Sequence, residues 1–238
     1  MRLKFLHLHL HGLIRSKNLE LGRDADTGGQ TQYVLELVKS LANTSEVDQV
    51  DLVTRLINDP KVDKEYSQKE EFVEPGVRIL RFKFGPNQYL RKELLWPYLD
   101  HFTESLISYY KKNKKPNFIH AHYADAGYVG VKLSKYLKVP LIFTGHSLGR
   151  EKKRKLIDTG LTTNQIEKLY SIRKRIEAEE KTLSLLTLLL QVLIKSQLFN
   201  ILNILLFHLT KLKLFLQVLI IRNFTIFIPQ PRQLKLII

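Results

Sequence analysis

Three short segments hold residue types that could do chemistry. In Thr144-Gly145-His146-Ser147-Leu148-Gly149 a histidine and a hydroxyl stand between glycines, directly after an apolar run. Histidine exchanges a proton, or accepts a strong hydrogen bond, most readily near neutrality. His146 at the mouth of a strand could therefore act on a ligand, although a histidine satisfied inside the core fits the same pattern. His122-Tyr123-Ala124-Asp125-Ala126-Gly127 is alike in position and open to the same two readings. Gly28-Gly29-Gln30 precedes a helical pattern. Paired glycines admit close backbone approach, and the first N–H groups of a helix favour an anion or a sugar hydroxyl. An ordinary tight turn would use the same residues.

Other segments are less specific. His7, His9 and His11 alternate along one strand face, a metal-compatible spacing with no carboxylate beside it, and no metal is assigned to them. The run from Arg150 to Lys155 has the composition of a nucleic-acid patch, but it follows a glycine-containing loop, so a small phosphate is the better partner. Lys111 to Lys115 reads as a solvated helix end. The chain has no cysteine, which excludes a thiolate nucleophile, a disulfide framework and thiolate-held metals, and suits a reducing, cytoplasmic setting. The N-terminus shows no secretory cleavage site.

The elements that must position these segments alternate in type. Strands are expected at residues 3–10, 50–54, 77–84, 118–121 and 140–144, and helices at 30–41, 94–110, 127–137 and 166–183. Such alternation predicts an α/β fold with a Rossmann-like parallel sheet and flanking helices. Ligands then bind beyond the carboxyl ends of the strands. The loops at 11–29, 85–92, 122–127 and 145–155 are the candidates.

Composition divides the chain near Ser184. Of the 38 basic and 23 acidic residues, residues 1–184 hold 32 basic and all of the acidic ones, a net of +9. Residues 185–238 carry +6 with no acid, no glycine and no alanine, and 17 of them are leucine. Their longest apolar runs fall short of the ~20 residues a membrane span requires, so a membrane partner is not expected.

The blocks HGLIRSKNLELGRDADTGGQTQYVLEL, VDLVTRLINDP, YLRKELLWPYLD, IHAHYADAGYVG, PLIFTGHSLGREKKRK and RKRIEAEEKTL resemble the N-terminal half of sucrose-phosphate synthases. These are retaining glucosyltransferases of the two-Rossmann GT-B architecture, related to sucrose synthases. The resemblance implies an acceptor-binding domain over residues 1–184, acting on fructose 6-phosphate, with UDP-glucose held by a second domain. It implies that Gly28, Gly29 and Gln30 line the acceptor and donor-phosphate side. Lys92, Lys174 and Arg175 would face the acceptor phosphate, and His146 would stand at the reacting sugar beside Ser147 and Tyr123. Lys174 stands where the family usually has an arginine pair. The implied chemistry requires no cofactor; Mg²⁺ is compatible with it but not indicated by the sequence. Nucleic acid is not an expected partner. The alternatives are a sucrose synthase-like fragment using free fructose and a non-catalytic membrane-attached protein.

Residues 185–238 resemble nothing in that family, and are expected to be a frameshifted tail without a native fold. Leu186 to Ile194 can be encoded by codons that, read one base earlier, give ADIIITSTH, and Leu216 to Ile220 permit PPGTD in the same frame. Sucrose-phosphate synthases have segments like these at similar places. The chain as written is expected to lack transferase activity, since the donor-site residues of the family lie in the half it does not resemble.

Overall fold

The computed structural model describes residues 2–195 and the short segments Ile220–Ile221 and Phe224–Thr225, with side chains described for residues 2–185. Six strands form one sheet: β1 (Leu3–Leu8), β2 (Val47–Arg55), β3 (Glu70–Glu74), β4 (Val77–Phe82), β5 (Phe118–His122) and β6 (Leu141–Thr144). Their spatial order is β3-β4-β2-β1-β5-β6. Five run parallel, but β3 is an antiparallel edge paired to β4. The expected all-parallel sheet is therefore corrected to a mixed one. A Glu-Pro-Gly turn lets β3 reverse into β4, with Gly76 at φ 79°, and its charge-rich strand suits an edge that must not pair further.

Period-two alternation on the central strands divides the core. Leu6 and Leu8 of β1, with Ile119 and Ala121 of β5, pack against α2 (Leu99–Lys112) and α3 (Tyr123–Leu137) through Phe102, Leu106, Val129 and Leu133. Phe5, Val50, Leu52 and Phe118 face α1 (Gly29–Ala42) through Val34, Val38 and Leu41. His7 shares the face of Phe5, and His120 and His122 share that of Phe118, because residues two apart on a strand point the same way. Strand order reverses between β1 and β5, so crossovers diverge there and leave a crevice at the carboxyl ends.

Several boundaries differ from expectation. The loop expected at 122–127 is helical from Tyr123, and that at 145–155 contains α4 (Gly149–Asp158). The single helix expected at 166–183 is two: α5 (Thr163–Tyr170) and α6 (Ile172–Lys195), broken at Ser171 with φ 46°. Thr162 and Gln165 close a reciprocal capping box that starts α5. α6 continues through Ser184, the expected domain boundary. Ile220–Ile221 and Phe224–Thr225 pair as two short antiparallel strands. The rest of the expected tail beyond Lys195 lies outside the described residues. Among the described residues no helix is long and apolar enough to cross a membrane.

Candidate functional site

The carboxyl edge of the sheet gathers all of the expected residues except Lys174 around one crevice. β1 ends in the loop that begins His11-Gly12. Gly12 has φ 76°, and a Cβ there would lie 2.3 Å from the Asp26 carbonyl oxygen, so only glycine permits this turn. The turn folds residues 13–29 back until Gly28 and Gly29 open α1, with nothing within 4 Å of either Cβ position. The backbone there is free for a ligand to approach. Gln30, one residue into α1, turns its amide toward His11 Nε2 at 3.2 Å and His9 Nδ1 at 3.4 Å.

Below this entrance lies a floor of imidazoles. His7, His9, His11, His120 and His122 are all buried, and His146 is mostly so. His7 Nδ1 is 3.0 Å from His122 Nε2, and His122 Nδ1 is 3.3 Å from His146 Nε2. Tyr33 of α1 meets the His146 ring edge-on at 5.2 Å. Burial pushes His7 down to about 3 and His146 to about 4, and lowers His9, His120 and His122 as well. These rings are neutral at physiological pH. His11 is the exception: burial opposes its charge, but Asp125, 2.8 Å from Nδ1, lifts it above the ordinary imidazole value. His7 is thus grouped with His120 and His122, and His11 with Asp125, instead of the alternating His7, His9 and His11 acting together.

His146 is held in an unusual backbone. Its φ is 55°, inside a tight turn in which the Ser147 N–H donates to the Gly145 carbonyl at 2.6 Å. Tyr123, at the start of α3, has φ 78°. Left-handed conformations at non-glycine residues are costly and gather where function requires them. Both residues were singled out from sequence.

One wall of the crevice is cationic. A small, open cleft is lined by Lys92, Glu93, Trp96, Tyr123, Asp125, Tyr170 and Arg175. Lys92 pairs with buried Asp26, whose carboxyl is held below its ordinary value: burial opposes this, but His11 and Lys92 outweigh it. Arg175 lies 4.4 Å from the Tyr123 ring, bonds Glu179 Oε1 at 2.9 Å, and donates to the Ser147 carbonyl and hydroxyl at 2.7 and 2.8 Å. Glu179 also accepts the Gly149 N–H at 2.7 Å, which docks α4 on α6. That docking brings Lys152 of α4 over the Tyr170 ring at 3.9 Å. Burial, with Lys92 and Arg175 facing it, pushes Lys152 down to about 8. Among the described residues no carboxylate forms an ion pair with it.

Lys174 is exposed and does not line the cleft. It is next to Arg175 on α6, and one helical step turns it about 100° away. Lys152 is the third cation near the cleft: it sits over the lining Tyr170, close enough to Lys92 and Arg175 for their charges to act on it. Only the basic run from Arg150 to Lys155 signalled it, and spacing alone does not say which of six side chains turns inward. Asp26 and Asp125, the carboxylates that set Lys92 and His11, were not singled out for those tasks.

Residues 28–166, more than half of the chain, match the glycosyl transferase 4-like domain. The chain belongs to that glycosyltransferase family. Within it, the chain is homologous to sucrose-phosphate synthases. It is 42% identical over 211 residues to a probable sucrose-phosphate synthase of Vicia faba, covering 76% of this chain and 20% of that protein. It is also 42% identical over 202 residues to the sucrose-phosphate synthase of Spinacia oleracea, covering 73% and 19%. The chain thus spans about a fifth of the length of these relatives. A solved sucrose-phosphate synthase from Thermosynechococcus elongatus shares the fold, with TM-score 0.56 and 24% identity over 76% of this chain and 40% of that one.

Proposed function

We propose that this domain is the acceptor-binding half of a GT-B sucrose-phosphate synthase, which transfers glucose from UDP-glucose to fructose 6-phosphate with retention of anomeric configuration. One observation carries the reading: Lys152, half-buried and with no ion pair among the described residues, sits over the ring of Tyr170, which lines a small cleft together with Lys92 and Arg175. Three neighbouring cations, with Lys152 pushed toward neutrality first by burial and then by Lys92 and Arg175, would be relieved by a dianion. A sugar phosphate supplies one, and charge-assisted hydrogen bonds from Lys and Arg would hold it. Tyr123, beside Arg175, would bound the sugar ring.

His146 and Gln30 lie toward the open crevice, where the acceptor hydroxyl would meet the donor. A neutral His146 can accept a hydrogen bond from that hydroxyl, and the Gly28-Gly29 backbone leaves room for a donor phosphate. Catalysis further needs leaving-group charge stabilised within the same closed cleft. In this reading a second, donor-binding domain supplies that.

Residues 185–238 are proposed to be the family's continuation read in a shifted frame. Resequencing the nucleotides around the Leu183–Leu186 codons is expected to reveal a one-base insertion or deletion. An unaltered sequence with no long alternative reading frame downstream would instead make this segment a true part of the protein. The protein from the corrected gene, given UDP-glucose with fructose 6-phosphate or with fructose, is expected to form sucrose 6-phosphate. Equal turnover of free fructose would favour sucrose synthase chemistry, and no turnover of either would overturn the reading.

A further inference from the structure

We propose that His7, His120 and His122 form a binding site for a zinc-type divalent cation, set in the floor directly beneath His146. The sheet register builds it. β1 and β5 pair in parallel with His7 opposite His120, and His122 follows two residues on along the same face. One ring nitrogen from each lies within 4.8 Å of those of the other two. The His7 Nδ1 to His122 Nε2 separation is 3.0 Å. Two nitrogens on one tetrahedral zinc, each about 2.0–2.1 Å from the ion, stand roughly 3.3 Å apart. That pair needs to open only slightly to share an ion in place of a proton.

The outer nitrogens of His120 and His122 are held as a metal site requires. His120 Nε2 is held by the Thr144 hydroxyl at 2.8 Å, and its Nδ1 is buried without a hydrogen-bond partner. His122 Nδ1 is engaged by His146 at 3.3 Å, which leaves Nε2 for the interior. An imidazole ligand typically has its outer nitrogen fixed by such a partner. His7 Nε2 is also buried without a partner. Without an ion, His120 Nδ1 stays unsatisfied in the core, which is costly. Neutral imidazole is the state that ligates a metal. An all-imidazole set favours zinc, copper, nickel or cobalt over magnesium or calcium.

The full 238-residue chain, purified with any affinity tag removed, should be titrated with Co²⁺ and then Zn²⁺. The expected result is one Co²⁺ per chain with the intense visible bands of a low-coordinate site, displacement by Zn²⁺, and a higher Tm with metal. H7Q and H120Q are expected to lose at least tenfold in affinity, and T144V about tenfold by loosening His120, while H101Q, altering an exposed histidine, changes nothing. If H7Q or H120Q does not fold, X-ray absorption of the zinc-loaded natural chain decides: three imidazoles around the metal support the site, and fewer than three overturn it. No stoichiometric uptake, or uptake unchanged in folded H7Q and H120Q, would also overturn it.

Discussion

The imidazole floor and the cationic wall share one crevice, yet they are built by opposite means. The floor comes from strands. His7, His120 and His122 take their places from sheet register, and burial strips them of charge. The wall comes from the helices and the loop around them. Lys92, Lys152 and Arg175 keep their positions through Asp26, Tyr170, Glu179 and Ser147. Strand positions give a rigid, neutral surface; helix and loop positions give charge that must be balanced by neighbours. In the proposed reading, the neutral side would orient a sugar and the charged side would hold its phosphate.

Acid should break the comparison first and hardest. The unfolded chain protonates its histidines near pH 6.5, whereas folded His7 and His146 wait until about 3 and 4, and His9, His120 and His122 are lowered too. The unfolded state therefore binds more protons below pH 6.5, and stability falls as pH drops toward 4. His11 runs the other way, its contribution complete below 6.5 and lost as pH rises through its raised value. Five rings outweigh one. Thermal melts between pH 7 and pH 4 should show Tm declining by many degrees, and a flat profile would mean the floor is not neutral.

Next in size is the wall's own scaffold. R175M removes the partner of buried Glu179 and the bond to Ser147 together. Leaving a buried carboxylate unpaired costs about 3 kcal/mol, roughly a 10 °C loss of Tm for a chain of this size. Adding E179Q should recover part of it, as melts of the double variant would show. Smaller again is the effect on binding alone. K152A is expected to weaken inorganic phosphate binding about tenfold, the worth of one charge-assisted contact, with little change in Tm. In the natural chain the same affinity should fall as pH rises through about 8, where Lys152 loses its proton; in K152A that inflection should vanish. K174A, on the exposed face of α6, should leave both affinity and Tm unchanged in the same titrations.

The floor was more legible in the sequence than the wall. Alternation placed β1, short apolar runs placed β5 and β6, and the His146 and Tyr123 segments fell at the ends of the latter two. His7, His9 and His11 were visible, but their partners were not. Pairing His7 with His120 needs strand order, which no local pattern carries. β3 escaped notice because an antiparallel edge strand rich in charge lacks the apolar alternation of a buried one. The break at Ser171 lay hidden inside a continuous amphipathic pattern, although Thr162 and Gln165 spelled a helix start three residues apart. Lys174 and Lys152 show the same limit at the site: which lysine faces inward depends on the helix packing fixed by Glu179, not on the basic run itself.

The most direct measurement compares fructose 6-phosphate with free fructose on the full chain, by calorimetry or by following backbone amide resonances. The account predicts that fructose 6-phosphate binds at least tenfold more tightly, shifting the amides of Tyr123, Ser147 and Lys152, with the preference collapsing in K152A. Equal affinity for the two sugars, or a phosphate preference unchanged in K152A, would contradict it.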